Sequence, residues 1–116
     1  MRGLLTLKEL STTQIENIIK YAIELKNGKQ VSYPGKKMAT LFYENSTRTH
    51  YSFQTALMNL GIQVLCCDVS KSSVQKGETL YDTVRTFESI GVDGVISRSS
   101  VDEYYKEVES IKSPMF

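Results

Sequence analysis

Apolar residues recur along this chain in two rhythms, one of helical period and one of short unbroken runs. Ile15, Ile18, Ile19, Ala22 and Leu25 repeat every three or four residues, which lines one face of a helix. Ser11, with Gln14 three residues later, has the form of a capping box that opens this helix. Gly28 is placed to close it. Residues 30–36 are polar and carry Pro34-Gly35, a turn signal. Residues 38–43 form a continuous, mostly apolar run of strand length, and 44–49 a polar break. Phe53, Ala56, Leu57 and Leu60 then predict the inward face of a second helix ending at Gly61. A second strand is expected over 64–67, followed by a loop over 70–77 rich in serine and lysine. A third helix should start near Glu78, turn Leu80, Val84, Phe87 and Ile90 inward, and stop at Gly91. Val95 and Ile96 mark a third strand, 102–111 a fourth helix, and 114–116 the start of another strand.

Strands thus alternate with helices. Right-handed crossovers make that an α/β fold, a parallel, doubly wound sheet with flanking helices. The 116 residues suffice for one small domain, and a chain that stops as a strand begins predicts an incomplete one. Hydrophobic residues at 41% and charged residues at 23% describe an ordinary globular chain rather than a disordered one. Fourteen Lys and Arg against thirteen Asp and Glu leave a net charge of +1. That balance produces no long-range field for nucleic acid or an anionic membrane, so any anion site must be built locally. No apolar run is long enough for a signal peptide or a membrane span. Cys66 and Cys67 are adjacent, a spacing that suits neither a metal site nor a redox motif. Two reduced, partly buried thiols in a reducing cytoplasm are expected.

Ligands of open α/β sheets sit beyond the carboxyl ends of the strands, and three polar segments fall there. The first is Glu44-Asn45-Ser46-Thr47-Arg48-Thr49, between a strand and a helix start. Unpaired N–H groups and the helix dipole favour an anion at such a place. The hydroxyls of Ser46, Thr47 and Thr49 add donors, and Arg48 adds a planar fork that matches phosphate oxygens. The glycines and the Gly-Lys-Ser/Thr ending of a Walker loop are missing. From the residues alone, an N-cap beside a solvated arginine is an equally good reading. The second segment runs from Ser72 through Lys76-Gly77-Glu78, and by itself such a loop is more often just a flexible connection. The third is Arg98-Ser99 at the end of the third strand, where an arginine can also simply face solvent.

Phe42-Tyr43-Glu44-Asn45-Ser46-Thr47-Arg48-Thr49, followed by Ser52-Phe53, resembles the carbamoyl-phosphate signature of the aspartate and ornithine carbamoyltransferase family. The resemblance implies that Ser46, Thr47, Arg48 and Thr49 hold phosphate at a helix N-terminus, with Arg48 and Thr49 also facing the carbamoyl group. Ser72 through Thr83 is similar to the mobile loop and following helix of the aspartate branch. It implies that Ser72 contacts carbamoyl phosphate and that Lys76 reaches into a neighbouring subunit's site, where aspartate also binds. Arg98 carries over as a further ligand of carbamoyl phosphate. Ser97 and Ser99 stand where the family often has an apolar residue and a histidine. The resemblance spans almost the whole chain but about the first third of a family member.

The implied reaction moves a carbamoyl group from carbamoyl phosphate to the amine of L-aspartate, an early step of pyrimidine synthesis. It implies a homotrimer in the full-length protein, Arg48, Thr49, Lys76 and Arg98 as the catalytic set, and no cofactor or metal. Residues 1–116 would be a truncated carbamoyl-phosphate-binding domain, inactive alone because the aspartate-binding domain is absent. Two other readings stand beside this one: an ornithine carbamoyltransferase, against which Lys76-Gly77-Glu78 argues, and a non-catalytic anion-binding α/β module. His50, the sole histidine, is expected to be an exposed first-turn residue. Glu44 is expected to pair with an arginine, Glu78 to cap the third helix, and Tyr104 and Tyr105 to serve packing.

Overall fold

The computed structural model describes residues 3–43, 47–67 and 80–98. A single 3-10 turn at Leu7–Glu9 precedes α1, Thr12–Lys26. Then follow β1, Lys37–Phe42; α2, Thr47–Asn59; β2, Gln63–Cys67; α3, Leu80–Ser89; and β3, Gly94–Arg98. The expected fourth helix and final strand start lie outside the described residues, as do Glu44, Glu78, Tyr104 and Tyr105.

Each helix ends where a glycine allows it. Gly28, Gly61 and Gly91 all have positive φ. Gly28 N–H donates to the Leu25 carbonyl and Lys29 N–H to that of Glu24. The same pair of bonds recurs at Gly61 and Ile62, which reach Met58 and Leu57, and at Gly91 and Val92, which reach Glu88 and Phe87. These are Schellman motifs, and they satisfy carbonyls that the helix leaves without partners. At the other end of α1 the capping box is complete: Ser11 Oγ accepts from Gln14 N–H, and Gln14 Oε1 accepts from Ser11 N–H.

The three strands are parallel in the order β2-β1-β3. Leaving β1, the chain turns to one side through α2 and returns as β2. It then crosses over β1 through α3 to reach β3. Crossovers of one hand in opposite directions set the two helices on opposite faces of the sheet. The pairing Thr40↔Cys66 and Phe42↔Arg98, with the period of two along a strand, sorts the side chains. Ala39, Leu41, Tyr43, Cys67 and Val95 share one face, and pack with Val84, Phe87, Val92 and Leu5 into the core. Met38, Thr40, Phe42, Cys66, Ile96 and Arg98 share the other face, where α2 lies against β1 and β2. Leu41 and Val84 are fully buried, and burial of such a side chain stabilises by about 1.5–3 kcal/mol.

Several expectations about inward faces fail. Ile90 is 63% exposed, because the helix ends at Ser89 and the next residue is already turning away at the cap. Phe53 is 42% exposed and Ala56 is exposed; only Leu57 on that face is buried. The apolar stripe of α1 has the predicted period, yet none of its residues is buried. The helix α2 also begins at Thr47 instead of after Thr49, which puts the second half of the polar break inside its first turn.

Candidate functional site

The helix α2 begins at Thr47, and its first turn meets the carboxyl end of the sheet, where Arg98 closes β3. Thr47 and Arg48 occupy its first turn and are exposed; Thr49 is half-buried. The first N–H groups of a helix lack intrahelical partners, and the dipole leaves a partial positive charge there. Arg98 is the last residue of β3, paired with Phe42 at the last position of β1. Tyr43 N–H donates to the Arg98 carbonyl at 2.9 Å, continuing the ladder by one step and fixing where the arginine emerges. The Arg98 guanidinium donates through Nη1 to Thr49 Oγ1 at 2.9 Å. Two residues separated by 49 positions in sequence thereby meet, one from a strand end and one from a helix start. Thr47, Arg48, Thr49 and Arg98 lie in or against this turn; Ser46, Ser72 and Lys76 lie outside the described residues.

The neighbourhood contains a pair that sequence reasoning missed. His50 is half-buried, in contrast to the exposed residue expected. Its ring stacks on Phe42 at 4.8 Å between centroids, with Tyr51 at 5.4 Å. Its Nε2 lies 3.2 Å from Cys66 Sγ. The cause is the register: Phe42 and Cys66 sit on the α2 face of neighbouring strands, so the first turn of α2 closes over both. A signal was present in the period-two alternation of the strands, but only after β1 and β2 are paired. Cys66 is exposed and Cys67 half-buried, and neither is in a disulfide. Among the described residues no group of three or more His, Cys, Asp or Glu side chains could hold a metal ion. No helix there is long and apolar enough to cross a membrane.

A cavity of about 430 Å³ lies elsewhere, between the carboxyl ends of α1 and α2, lined by Leu25, Val31, Ala56 and Leu60 among others. It sits at the amino end of the sheet and carries none of the candidate residues.

A parallel α/β domain with guanidinium and hydroxyl donors gathered over its strand ends is the class of protein that receives a ligand there. The chain belongs to the aspartate/ornithine carbamoyltransferase family, whose carbamoyl-P binding domain matches residues 2–115. The chain is 44% identical over 116 residues to the aspartate carbamoyltransferase catalytic subunit of Staphylococcus carnosus, covering 99% of this chain and 38% of that protein. It is 46% identical to the same subunit of Malacoplasma penetrans, of which it covers 39%. Among solved structures, the aspartate transcarbamoylase of Trypanosoma cruzi in complex with carbamoyl phosphate superposes at a TM-score of 0.82, with 31% identity. That match covers 98% of this chain and 39% of the other. The anabolic ornithine carbamoyltransferase of Campylobacter jejuni reaches 0.87 at 31% identity, covering 100% of this chain and 38% of that one. The chain therefore spans under two fifths of the length of these relatives. The fold is common to both branches and does not separate them.

Proposed function

We propose that this chain is the carbamoyl-phosphate-binding domain of an aspartate carbamoyltransferase, acting in de novo pyrimidine biosynthesis. The observation that carries the reading is the Arg98–Thr49 bond, which draws the third strand's arginine onto the first turn of α2 beside Arg48. Thr47 and the first-turn N–H groups would take phosphate oxygens, with Ser46 beside them. Arg48 would neutralise phosphate charge through a two-pronged contact. Thr49 and Arg98, already joined, would face the carbamoyl oxygen.

In the reaction the amine of L-aspartate attacks the carbonyl carbon. The carbonyl π electrons move to oxygen, and the tetrahedral species collapses to N-carbamoyl-L-aspartate as the C–O bond to phosphate breaks. Negative charge grows first on the carbonyl oxygen and then on the departing phosphate. Fixed cationic and hydroxyl donors lower the barrier at both places, and alignment of two bound substrates supplies much of the rest. Ser72 and Lys76 are assigned to the same site, Lys76 from a neighbouring subunit of a cytoplasmic homotrimer. That assignment rests on the Lys76-Gly77-Glu78 sequence, and the aspartate branch on curated relatives at 44–46% identity. The chain covers 38–39% of the length of those relatives, and for that reason it should not turn over alone.

Calorimetric titration of this chain with carbamoyl phosphate, and with phosphate, tests the binding half. Saturable binding that is lost in Arg48→Ala and Arg98→Ala is expected; binding indifferent to both substitutions would sink the assignment. Assay of the full-length protein with aspartate and with ornithine decides the acceptor, and product from ornithine alone would transfer the chain to the other branch.

A further inference from the structure

The His50–Cys66 pair is not used by the carbamoyl chemistry, and it has the parts of a nucleophilic site. Sulfur attacks as the thiolate, so a reactive cysteine needs solvent access and a group that takes its proton. Cys66 is exposed, and His50 Nε2 lies 3.2 Å from its sulfur, close enough for one proton to be shared. The imidazole is held in place from a different element: it belongs to α2, and stacks on Phe42 of β1 and beside Tyr51. A second, independent feature lies alongside. Thr40 is the direct neighbour of Cys66 across β1 and β2, on the same sheet face, and is 1% exposed. Its Oγ1 has no hydrogen-bond partner, an uncommon state for a buried hydroxyl. Cys67 differs in its surroundings: it is half-buried, and alternation turns it to the opposite face, against the core.

We propose that Cys66 is a covalent modification site for low-molecular-weight disulfides, with His50 as its proton acceptor. The thiol proton passes to His50 Nε2. The thiolate attacks one sulfur of the small disulfide, a new S–S bond forms to Cys66, and the old S–S bond breaks. The cysteine is oxidised; the departing half is reduced and leaves as a thiolate that takes up one proton, so charge and electrons balance. His50 follows Thr49 directly in the first turn of α2, so a group attached to Cys66 beside the imidazole would act on the turn that carries Thr49.

The test is the rate of thiolate release from an aromatic disulfide reagent (dithiobis-nitrobenzoate), followed by absorbance on the folded chain. Cys67→Ala isolates Cys66, and Cys66→Ala isolates Cys67. Cys66 should react at least about tenfold faster than Cys67. His50→Phe, which keeps a ring to stack but has no proton acceptor, should slow Cys66 by about tenfold, with circular dichroism reporting that the helices persist. Equal rates at the two thiols, or a Cys66 rate unchanged by His50→Phe, would overturn the proposal. Should a variant fail to fold, a brief iodoacetamide pulse on the unsubstituted chain, read by fragment mass spectrometry, gives the Cys66-to-Cys67 labelling ratio directly, and a ratio near one overturns it too. None of these readouts requires phosphate to bind, so they stand apart from the carbamoyltransferase assignment. Loss of phosphate affinity after modification of Cys66 is the coupled result; unchanged affinity would refute transmission through α2.

Discussion

The two helices α1 and α2 contrast in almost every respect. The first has a regular apolar stripe, a complete capping box and a Schellman ending, yet none of its residues is buried. The second has a weaker stripe, exposes Phe53 and Met58, and buries only Leu57, but it lies on the sheet and carries Thr47, Arg48, Thr49 and His50. Local signals are therefore a guide to where a helix starts and stops, and a poor guide to what it does for the fold. A stripe such as that of α1 stabilises only when something covers it, whereas α2 lies against β1 and β2.

The largest test of that contrast is in the core. Leu41→Ala, on the central strand, should cost about 3 kcal/mol of stability. Ile19→Ala, on the α1 stripe at 55% exposure, should change it by less than about 0.5 kcal/mol. Urea unfolding of both chains checks the difference, and a large loss for Ile19→Ala would show that α1 is covered after all. Next in size, Arg98→Ala removes the bond to Thr49 and should weaken phosphate binding by about 2 kcal/mol, leaving the urea midpoint nearly unchanged. A matching fall in stability would make the bond structural instead.

The helix ends sharpen the comparison at smaller scale. A Cβ added at Gly61 would sit 3.2 Å from Ser32 Oγ, whereas one added at Gly28 meets nothing within 4 Å. Both glycines have positive φ, so each Gly→Ala change should cost about 1 kcal/mol, with the greater penalty at Gly61. Hydrogen exchange should show the Gly28→Ala loss confined to α1 and the Gly61→Ala loss shared by β2. Ser11→Ala should cost about 1 kcal/mol, again only in the exchange of α1. The smallest effect belongs to Lys29, whose pKa is raised above its ordinary 10.5 chiefly by the hydrogen bond from its ammonium to Glu24. A pKa raised in the folded state contributes stability that is fully present below the unfolded value and is lost as pH rises through the folded one. Melting curves of Lys29→Met and the parent chain should therefore coincide more closely above pH 10.5 than at neutral pH, with only a slight gap at neutral pH because the pair is exposed.

What the amino-acid sequence determined by itself was local and periodic. The order of strands and helices, the capping box at Ser11 and the three glycine stops depend on neighbours within a few residues, and all are legible from spacing. The segment from Phe42 to Thr49 could be read because strand, polar turn and helix start follow one another without interruption, and its family likeness extends over the rest of the chain. What only the tertiary structure decided were relations between distant residues. The bond of Arg98 to Thr49, the closure of His50 on Cys66 and the burial of Thr40 follow from the order β2-β1-β3 and its register. A shift of one residue in that register would turn Cys66 to the core and Cys67 to His50. Composition and periodicity are nearly indifferent to such a shift, because the two thiols are chemically identical neighbours in the chain. Pairing the strands is what distinguishes them.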